Sequence, residues 1–295
     1  MVITTQEAVK TVLKPDEYKS GLKPVWCPGC GDFGVLNSLC QVYSRLALRP
    51  ENTIIFSGIG CSSRIPGYLK SYGFNSVHGR VLPIATGAKI ANPELTVIAA
   101  GGDGDAFSIG IGHFPHTCRR NIDITYIVMD NQIYGLTKGQ LSPTSPGNMK
   151  TTTSDLGSIE YPINPIALAV GCEATFVARA FSGDIKGMVE IIIRGIQHKG
   201  FSFIQVMSPC VTFVGKDQFV IIKNLLHYLD QDPTYDRTSR TSAFTVADEK
   251  DRISVGVIYE KERPDYQANL DLLRHETAEQ GYPEDLKKLI ESFRP

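Results

Sequence analysis

Leu95-Thr96-Val97-Ile98-Ala99-Ala100-Gly101-Gly102-Asp103-Gly104 ends an apolar run on a glycine-rich acidic turn. Ile124-Thr125-Tyr126-Ile127-Val128-Met129-Asp130-Asn131 ends the next run on an acid and an amide. Both runs are continuous rather than alternating, as expected of parallel strands covered by helices on both faces. About 25 residues separate Gly104 from Asp130, the span of one crossover between neighbouring parallel strands. Both turns should therefore surface at one rim of an open sheet, outside the carboxyl ends of the strands, where such sheets bind ligands. A carboxylate at Asp103 and an amide oxygen at Asn131 suit a hard cation such as Mg2+, which takes few protein ligands and finds the rest on phosphates and water. Gly101, Gly102 and Gly104 let backbone amides approach a diphosphate, with the following helix N-terminus adding a favourable dipole. A lone Gly-Asp-Gly is most simply a strand-to-helix turn; the second strand, its Asp-Asn and the interval give the pair its specificity.

Together the two turns resemble the diphosphate motif of thiamine diphosphate enzymes. That resemblance implies bound thiamine diphosphate and Mg2+, with Asp103 and Asn131 on the metal and the main-chain carbonyl of Ile133 as a third ligand. It also implies cofactor contacts at Gly104, Asp105, Gly135 and Leu136.

The rest of the composition is that of an ordinary globular protein, with 42% hydrophobic and 21% charged residues in a chain of 295. A formal net charge of -1 suggests neither a nucleic-acid footprint nor a field for acidic substrates. No apolar stretch approaches the roughly 18 residues that a membrane span needs, and Met1 to Lys19 lacks the apolar core of a signal peptide. A cytoplasmic location is the expectation. Seven cysteines in such a chain argue for metal ligation or buried thiols over a disulfide framework.

Residues 1 to 24 read as a polar arm broken by Lys14-Pro15-Asp16 and Gly21-Leu22-Lys23-Pro24. Phe33, Leu36, Leu39, Cys40, Tyr43 and Leu46 then mark a helix by their spacing of three and four. Thr53 to Phe56 reads as a strand, followed by a short strand before His78-Gly79-Arg80 and a helix through Ala85, Ala88 and Ala91. Thr137 to Asn148 belongs to a connector too long and polar to be simple. Helices at Ile166 to Val170 and Met188 to His198 alternate with strands at Glu173 to Val177 and Phe201 to Val206. This alternation predicts a doubly wound, mostly parallel α/β domain over residues 25 to 215. Residues 216 to 295 read as a smaller C-terminal appendage that contacts a partner, with a helix at Phe219 to Tyr228, paired short strands at Ser242 to Val257 and a charged helix at Glu284 to Phe293.

Cys27 and Cys30 form a CxxC across a Pro-Gly turn, a spacing that fits zinc, a redox disulfide or half of an iron-sulfur site. Cys61 follows the strand ending at Phe56 and Cys210 follows the one ending at Val206, so both belong on the rim of Asp103 and Asn131. Four thiolates beside a diphosphate cofactor favour one 4Fe-4S cluster, with zinc or unligated thiols as the plainer alternative. Cys40, Cys118 and Cys172 sit among apolar neighbours and read as small buried hydrophobes.

Trp26-Cys27-Pro28-Gly29-Cys30-Gly31-Asp32-Phe33-Gly34, Gly58-Ile59-Gly60-Cys61-Ser62, His78-Gly79-Arg80, Gly102-Asp103-Gly104-Asp105 and Ile133-Tyr134-Gly135-Leu136-Thr137-Lys138-Gly139-Gln140 occur in that order. Over about residues 20 to 215, and more weakly through Gly256 to Leu273, the chain resembles the beta subunits of 2-oxoacid:ferredoxin oxidoreductases. The first motif resembles the 2-oxoglutarate branch more than the pyruvate branch. The resemblance implies that Cys27, Cys30, Cys61 and Cys210 hold the cluster, and that Ile59, Gly60, Cys61 and Ser62 line the thiamine ring region. It further implies that His78 faces the diphosphate or the reacting end as a catalytic group, and that Lys138 meets a coenzyme A phosphate. The implied activity is coenzyme A-dependent oxidative decarboxylation of a 2-oxo acid, or its reversal, with electrons passing to ferredoxin. Since one α/β domain is already committed to the diphosphate, an alpha subunit is expected to bring the second domain and its activating glutamate. A non-oxidative thiamine diphosphate decarboxylase or synthase subunit would share Asp103 and Asn131 without using the four cysteines. A zinc-stabilised assembly protein would use the cysteines alone.

Overall fold

A computed structural model of the chain describes residues 13–279 and 286–293. Its strands are β1 (Thr53–Ser57), β2 (Tyr72–Asn75), β3 (Thr96–Gly102), β4 (Ile124–Asp130), β5 (Ile133–Tyr134), β6 (Gln140–Leu141), β7 (Phe176–Phe181), β8 (Phe201–Met207), β9 (Leu226–Tyr228) and β10 (Ile253–Glu260). Its helices are α1 (Asp32–Arg45), α2 (Val81–Ala91), α3 (Asp103–Phe107), α4 (Phe114–Arg120), α5 (Pro165–Gly171), α6 (Ile185–Gln197), α7 (Gln218–Leu225), α8 (Arg240–Ala247), α9 (Tyr266–Glu279) and α10 (Leu286–Ser292).

Eight strands make one sheet in the order β2-β1-β3-β4-β8-β7-β10-β9, while β5 and β6 pair as a separate antiparallel ribbon. Every pairing in the large sheet is parallel except that of β10 with β7. Successive side chains on a strand point to opposite faces, so each central strand feeds two cores. Ile55, Ile98, Ile127 and Ile204 pack with α1 and α6 on one face. Phe56, Val97, Tyr126 and Phe203 pack with α2, α4, α5 and α8 on the other. This two-sided burial explains the unbroken apolar runs: all seven residues of β4 are buried.

The doubly wound, mostly parallel α/β architecture expected from the sequence is therefore the one that forms. β3 and β4 are direct neighbours with Gly102 opposite Met129, which sets Asp103 and Asn131 side by side at the carboxyl rim. Residues 1–12 of the polar arm lie outside the described residues. From Lys14 onward the arm lies on the body, with a short 3-10 turn at Pro15–Tyr18. Tyr18 is buried there, donates its hydroxyl to the Leu48 carbonyl at 2.8 Å and meets Tyr43 edge-on.

The stretch after Gly215 differs most from the sequence reading. The expected paired strands over Ser242 to Val257 are instead α8 followed by β10, and the helix expected to reach Tyr228 gives way to β9 after Leu225. Ser239 starts α8 by accepting the Ser242 amide, a cap that overrides the strand propensity of the Thr and Val that follow. β10 is a core strand with six consecutive buried residues, and it covers the edge of β7 that would otherwise be open. The terminal helix runs over Leu286–Ser292, with Glu284 and Asp285 outside the described residues. Among the described residues no helix is long and apolar enough to cross a membrane.

Candidate active site

At the rim where β1, β3 and β4 end, one cavity of about 490 Å³ gathers most of the residues singled out in the sequence. Ile59, Gly60, Cys61 and Ser62 enter it from the turn after β1, His78 from the turn after β2, and Asp103, Gly104 and Asp105 from the start of α3. Asn131, Ile133, Gly135 and Leu136 enter from the segment after β4. Gly104 is required by packing: a Cβ there would run into the Tyr134 ring, whose hydroxyl donates to the Gly104 carbonyl at 3.0 Å.

Asp103 is buried, with Oδ1 accepting the Asn131 amide at 3.3 Å and Oδ2 accepting the Thr144 hydroxyl at 2.8 Å. The Asn131 side-chain oxygen accepts the Ile133 amide at 3.1 Å, so the acid, the amide and the third expected ligand are tied into one turn. Burial, reinforced by the charge of Asp130, raises the Asp103 carboxyl well above the usual carboxylate range. A divalent cation is the partner that restores the ionised form at such a place. Asp130 faces away from this cavity into a neighbouring one and accepts Gln205 Nε2 at 2.7 Å; Gln205 in turn accepts the Arg179 Nε at 2.9 Å. Burial lowers Arg179 to about 10, far enough above neutrality for it to stay a cation beside Asp130.

Asp105 organises the rim. One carboxylate oxygen accepts the amides of Ile59 at 2.9 Å and Gly79 at 2.8 Å and lies 3.0 Å from His78 Nδ1, so the turns after β1, β2 and β3 converge on it. Burial raises its carboxyl, and the two amides and His78 oppose that rise. The carboxylate fits because residue 58 is glycine: a Cβ on Gly58 would coincide with its other oxygen. Gly58→Ala is expected to destabilise the protein by about 2 kcal/mol through overpacking. Gly87→Ala on α2, where a Cβ meets open space, should be neutral or gain up to about 1 kcal/mol. Urea unfolding of the two variants beside the parent checks the contrast.

The four cysteines expected at the rim also converge. Cys27, Cys30, Cys61 and Cys210 line a second cavity of about 320 Å³. Gly29, at φ 85°, makes the tight turn between the first two, and the Cys30 amide donates back to the Cys27 carbonyl at 3.0 Å. Trp26 donates its indole N–H to the Cys61 carbonyl at 2.7 Å, and the Gly31 amide donates to the Pro209 carbonyl at 3.3 Å, so the three loops are stitched together. Among the described residues no group of three or more His, Cys, Asp or Glu side chains is arranged to hold a metal ion; the four cysteines line this cavity together. Burial raises the Cys61 thiol to about 11 and moves the Cys30 thiol up as well, each further raised by neighbouring charges. Binding to a cationic centre is what deprotonates thiols raised in this way.

The two cavities share a wall made of Cys61, Asn131, Gly135 and Leu136. A Cβ on Gly135 would stand 3.6 Å from Cys61 Sγ and 3.8 Å from Cys210 Sγ, so at this point of the wall only a glycine backs the two sulfurs.

Residues 58–206 match the family model described as "Thiamine pyrophosphate enzyme, C-terminal TPP binding domain". Residues 210–275 match the family model for the C-terminal part of the pyruvate ferredoxin oxidoreductase beta subunit. The chain is 40% identical over 253 residues to 2-oxoacid:ferredoxin oxidoreductase 2, subunit beta, of Aeropyrum pernix, covering 82% of each. The chain belongs to the beta subunits of the 2-oxoacid:ferredoxin oxidoreductases. This beta subunit is also 46% identical over 195 residues to the 2-oxoglutarate synthase subunit KorB of Methanocaldococcus jannaschii, across 66% of the chain and 72% of the relative. A solved structure titled "2-oxoglutarate:ferredoxin oxidoreductase from Magnetococcus marinus with 2-oxoglutarate, coenzyme A and succinyl-CoA bound" matches it with a TM-score of 0.90 at 39% identity, over 96% of this chain and 97% of that one.

Lys138 is the one expected contact of the beta subunit that does not line the cofactor cavity. It is exposed on the turn between β5 and β6, at φ 76°, its amide donating to the Gly135 carbonyl at 3.2 Å. Sequence reading missed Thr144, Gln205 and Arg179, and took Asp105 only as a contact rather than as the hub of three turns. A signal for Thr144 lay in the long polar connector; Gln205 and Arg179, polar residues inside otherwise apolar strands, were the other visible anomaly.

Proposed function

We infer that this beta subunit holds the thiamine diphosphate, Mg2+ and a single 4Fe-4S cluster of a coenzyme A-dependent 2-oxoacid:ferredoxin oxidoreductase that prefers 2-oxoglutarate. The observation that carries this reading is the shared wall, because a redox cluster held by the four cysteines would lie directly across it from the cofactor and could accept its electrons. Thiamine diphosphate supplies the electron sink for decarboxylation of a 2-oxo acid. Asp103, Asn131 and the Ile133 carbonyl would hold Mg2+ and through it the diphosphate, while Gly104 and Asp105 shape the turn that receives it. Cys27, Cys30, Cys61 and Cys210 would hold the iron, an all-thiolate donor set of the kind that iron-sulfur clusters use, beside a cofactor whose electrons such a cluster could take. His78, whose Nδ1 lies 3.0 Å from Asp105 Oδ1 and which lines the cavity, would keep or pass a proton at the cofactor.

An alpha subunit with a second α/β domain would complete the site and bring the glutamate that activates the cofactor. The names of the relatives, each a beta subunit or a KorB subunit, support such a partner. Ferredoxin is the external electron acceptor in this reading, and the residues after Gly215 offer their outer face to the partner. The relative and the structural neighbour named for 2-oxoglutarate favour that substrate, while the match of residues 210–275 to a pyruvate enzyme's model keeps pyruvate as the comparison.

The test is coenzyme A-dependent dye reduction by the coexpressed alpha and beta subunits under anaerobic conditions. Faster turnover with 2-oxoglutarate than with pyruvate, about four irons per beta subunit, and no turnover by the beta subunit alone are the expected results. Stoichiometric zinc without iron would overturn the cluster, and full activity without a partner would overturn the divided site.

A further inference from the structure

Thr144 does not line the cofactor cavity, yet its hydroxyl reaches both buried acids of the rim, Asp103 Oδ2 at 2.8 Å and Asp130 Oδ1 at 2.9 Å. The residue is itself buried, on the polar loop between β6 and α5. Next to it, Ser145 donates its hydroxyl to the Gln132 carbonyl at 2.6 Å and accepts the Ser142 amide at 2.8 Å. Gln132 lies between Asn131 and Ile133 and holds a left-handed φ of 60°, a conformation that needs outside support in a residue other than glycine. Two consecutive side chains of one loop thus grip the cation site at both ends: the carboxylate on α3 and the backbone between the two ligands that follow β4.

The grip has an anchor. Asp130 accepts Gln205 and Gln205 accepts Arg179, a polar row across β4, β8 and β7 in the middle of an apolar sheet. Polar groups at such depth are costly unless fully paired, and here the pairing terminates on the hydroxyl that holds Asp103.

We propose that Thr144 and Ser145 are positioning residues that clamp Asp103 and the Asn131-Ile133 turn into the geometry that binds Mg2+ with the diphosphate. The proposal rests on the reading of Asp103 as a cation ligand. A hydroxyl of this kind fixes the orientation of a ligand carboxylate, and loss of such a partner weakens metal binding by about 10- to 100-fold.

The alpha-beta complex with its cluster, freed of thiamine diphosphate and Mg2+, is titrated with Mg2+ at fixed thiamine diphosphate by calorimetry. Thr144→Val should raise the apparent Kd for Mg2+ by about 10- to 100-fold, with iron content unchanged and kcat largely recovered at saturating Mg2+. Thr144→Ser, which keeps the hydroxyl, should stay within about threefold of the parent, and Ser145→Ala should shift the Kd in the same direction as Thr144→Val. A Kd within about threefold of the parent in both Thr144→Val and Ser145→Ala overturns the clamp. Should Thr144→Val assemble poorly, Ser145→Ala decides alone. Asp103→Asn in the same titration separates the two levels: parent-like binding there overturns the cation site itself, whereas lost binding there beside parent-like Thr144→Val and Ser145→Ala overturns the clamp only.

Discussion

Asp103→Ala in the assembled complex is expected to lower 2-oxoacid-dependent dye reduction by about a thousandfold or more, as loss of several kcal/mol of metal-assisted stabilisation would. The complex should also emerge without thiamine diphosphate when purified in Mg2+. The argument is electrostatic. Asp103 is buried against Asp130, and both carboxyls are raised, chiefly by burial. Without a cation the position is unfavourable for an ionised acid, so the carboxylate is a burden to the fold that the proposed cation would relieve. Alanine removes that burden, and the melting temperature of the cofactor-free complex should therefore be unchanged or higher. Activity close to that of the parent would contradict the ligand assignment, and measuring cofactor content alongside the rate distinguishes lost binding from lost chemistry.

Cys210→Ser should be nearly as damaging, for a different reason. Cys210 comes from the loop after β8, whereas Cys27 and Cys30 precede α1 and Cys61 follows β1, so no other cysteine at the second cavity can replace it from the same side. Iron is expected to fall well below the about four atoms of a complete cluster. Coenzyme A-dependent dye reduction should then fall below about 1% of the parent, a deficit of nearly 3 kcal/mol in the rate. Calorimetric binding of thiamine diphosphate with Mg2+ should persist, because Cys210 does not line the cofactor cavity. Full iron content in Cys210→Ser, read by chemical assay and electron paramagnetic resonance, would remove Cys210 from the ligand set.

Much of this could be read from the chain because it depends on local pattern. The continuous runs of β3 and β4, their glycine-rich and amide ends and the interval between them fix a shared rim by geometry alone. The same logic put Cys61 and Cys210 beside Asp103 and Asn131, since any residue just after a parallel strand of this sheet emerges at that rim. Contacts between residues far apart were not legible. Nothing near Thr144 announces that its hydroxyl will meet two acids, one opening α3 and one ending β4, and nothing near Asp105 announces that Ile59 and Gly79 will donate to it. Arg179 and Gln205 stand opposite one another in the register of β7 and β8, a pairing that exists only once the sheet has formed. The region after Gly215 departs from its reading where capping by Ser239 outweighs the strand preference of the residues that follow, and the strand expected to end at Val257 runs on to Glu260 as β10, joining the main sheet out of sequence order and antiparallel.

That late strand has a consequence for how the protein comes into being. The edge of β7 stays unpaired until residues 253 to 260 have left the ribosome, and Arg179 lacks the Ser254 carbonyl to which it donates at 3.3 Å. A nascent chain that has already made every rim loop still carries an open strand edge and an incompletely satisfied buried cation, one row away from the acids of the rim. The polar row behind the rim is thus complete only once the last core strand to be synthesised is in place.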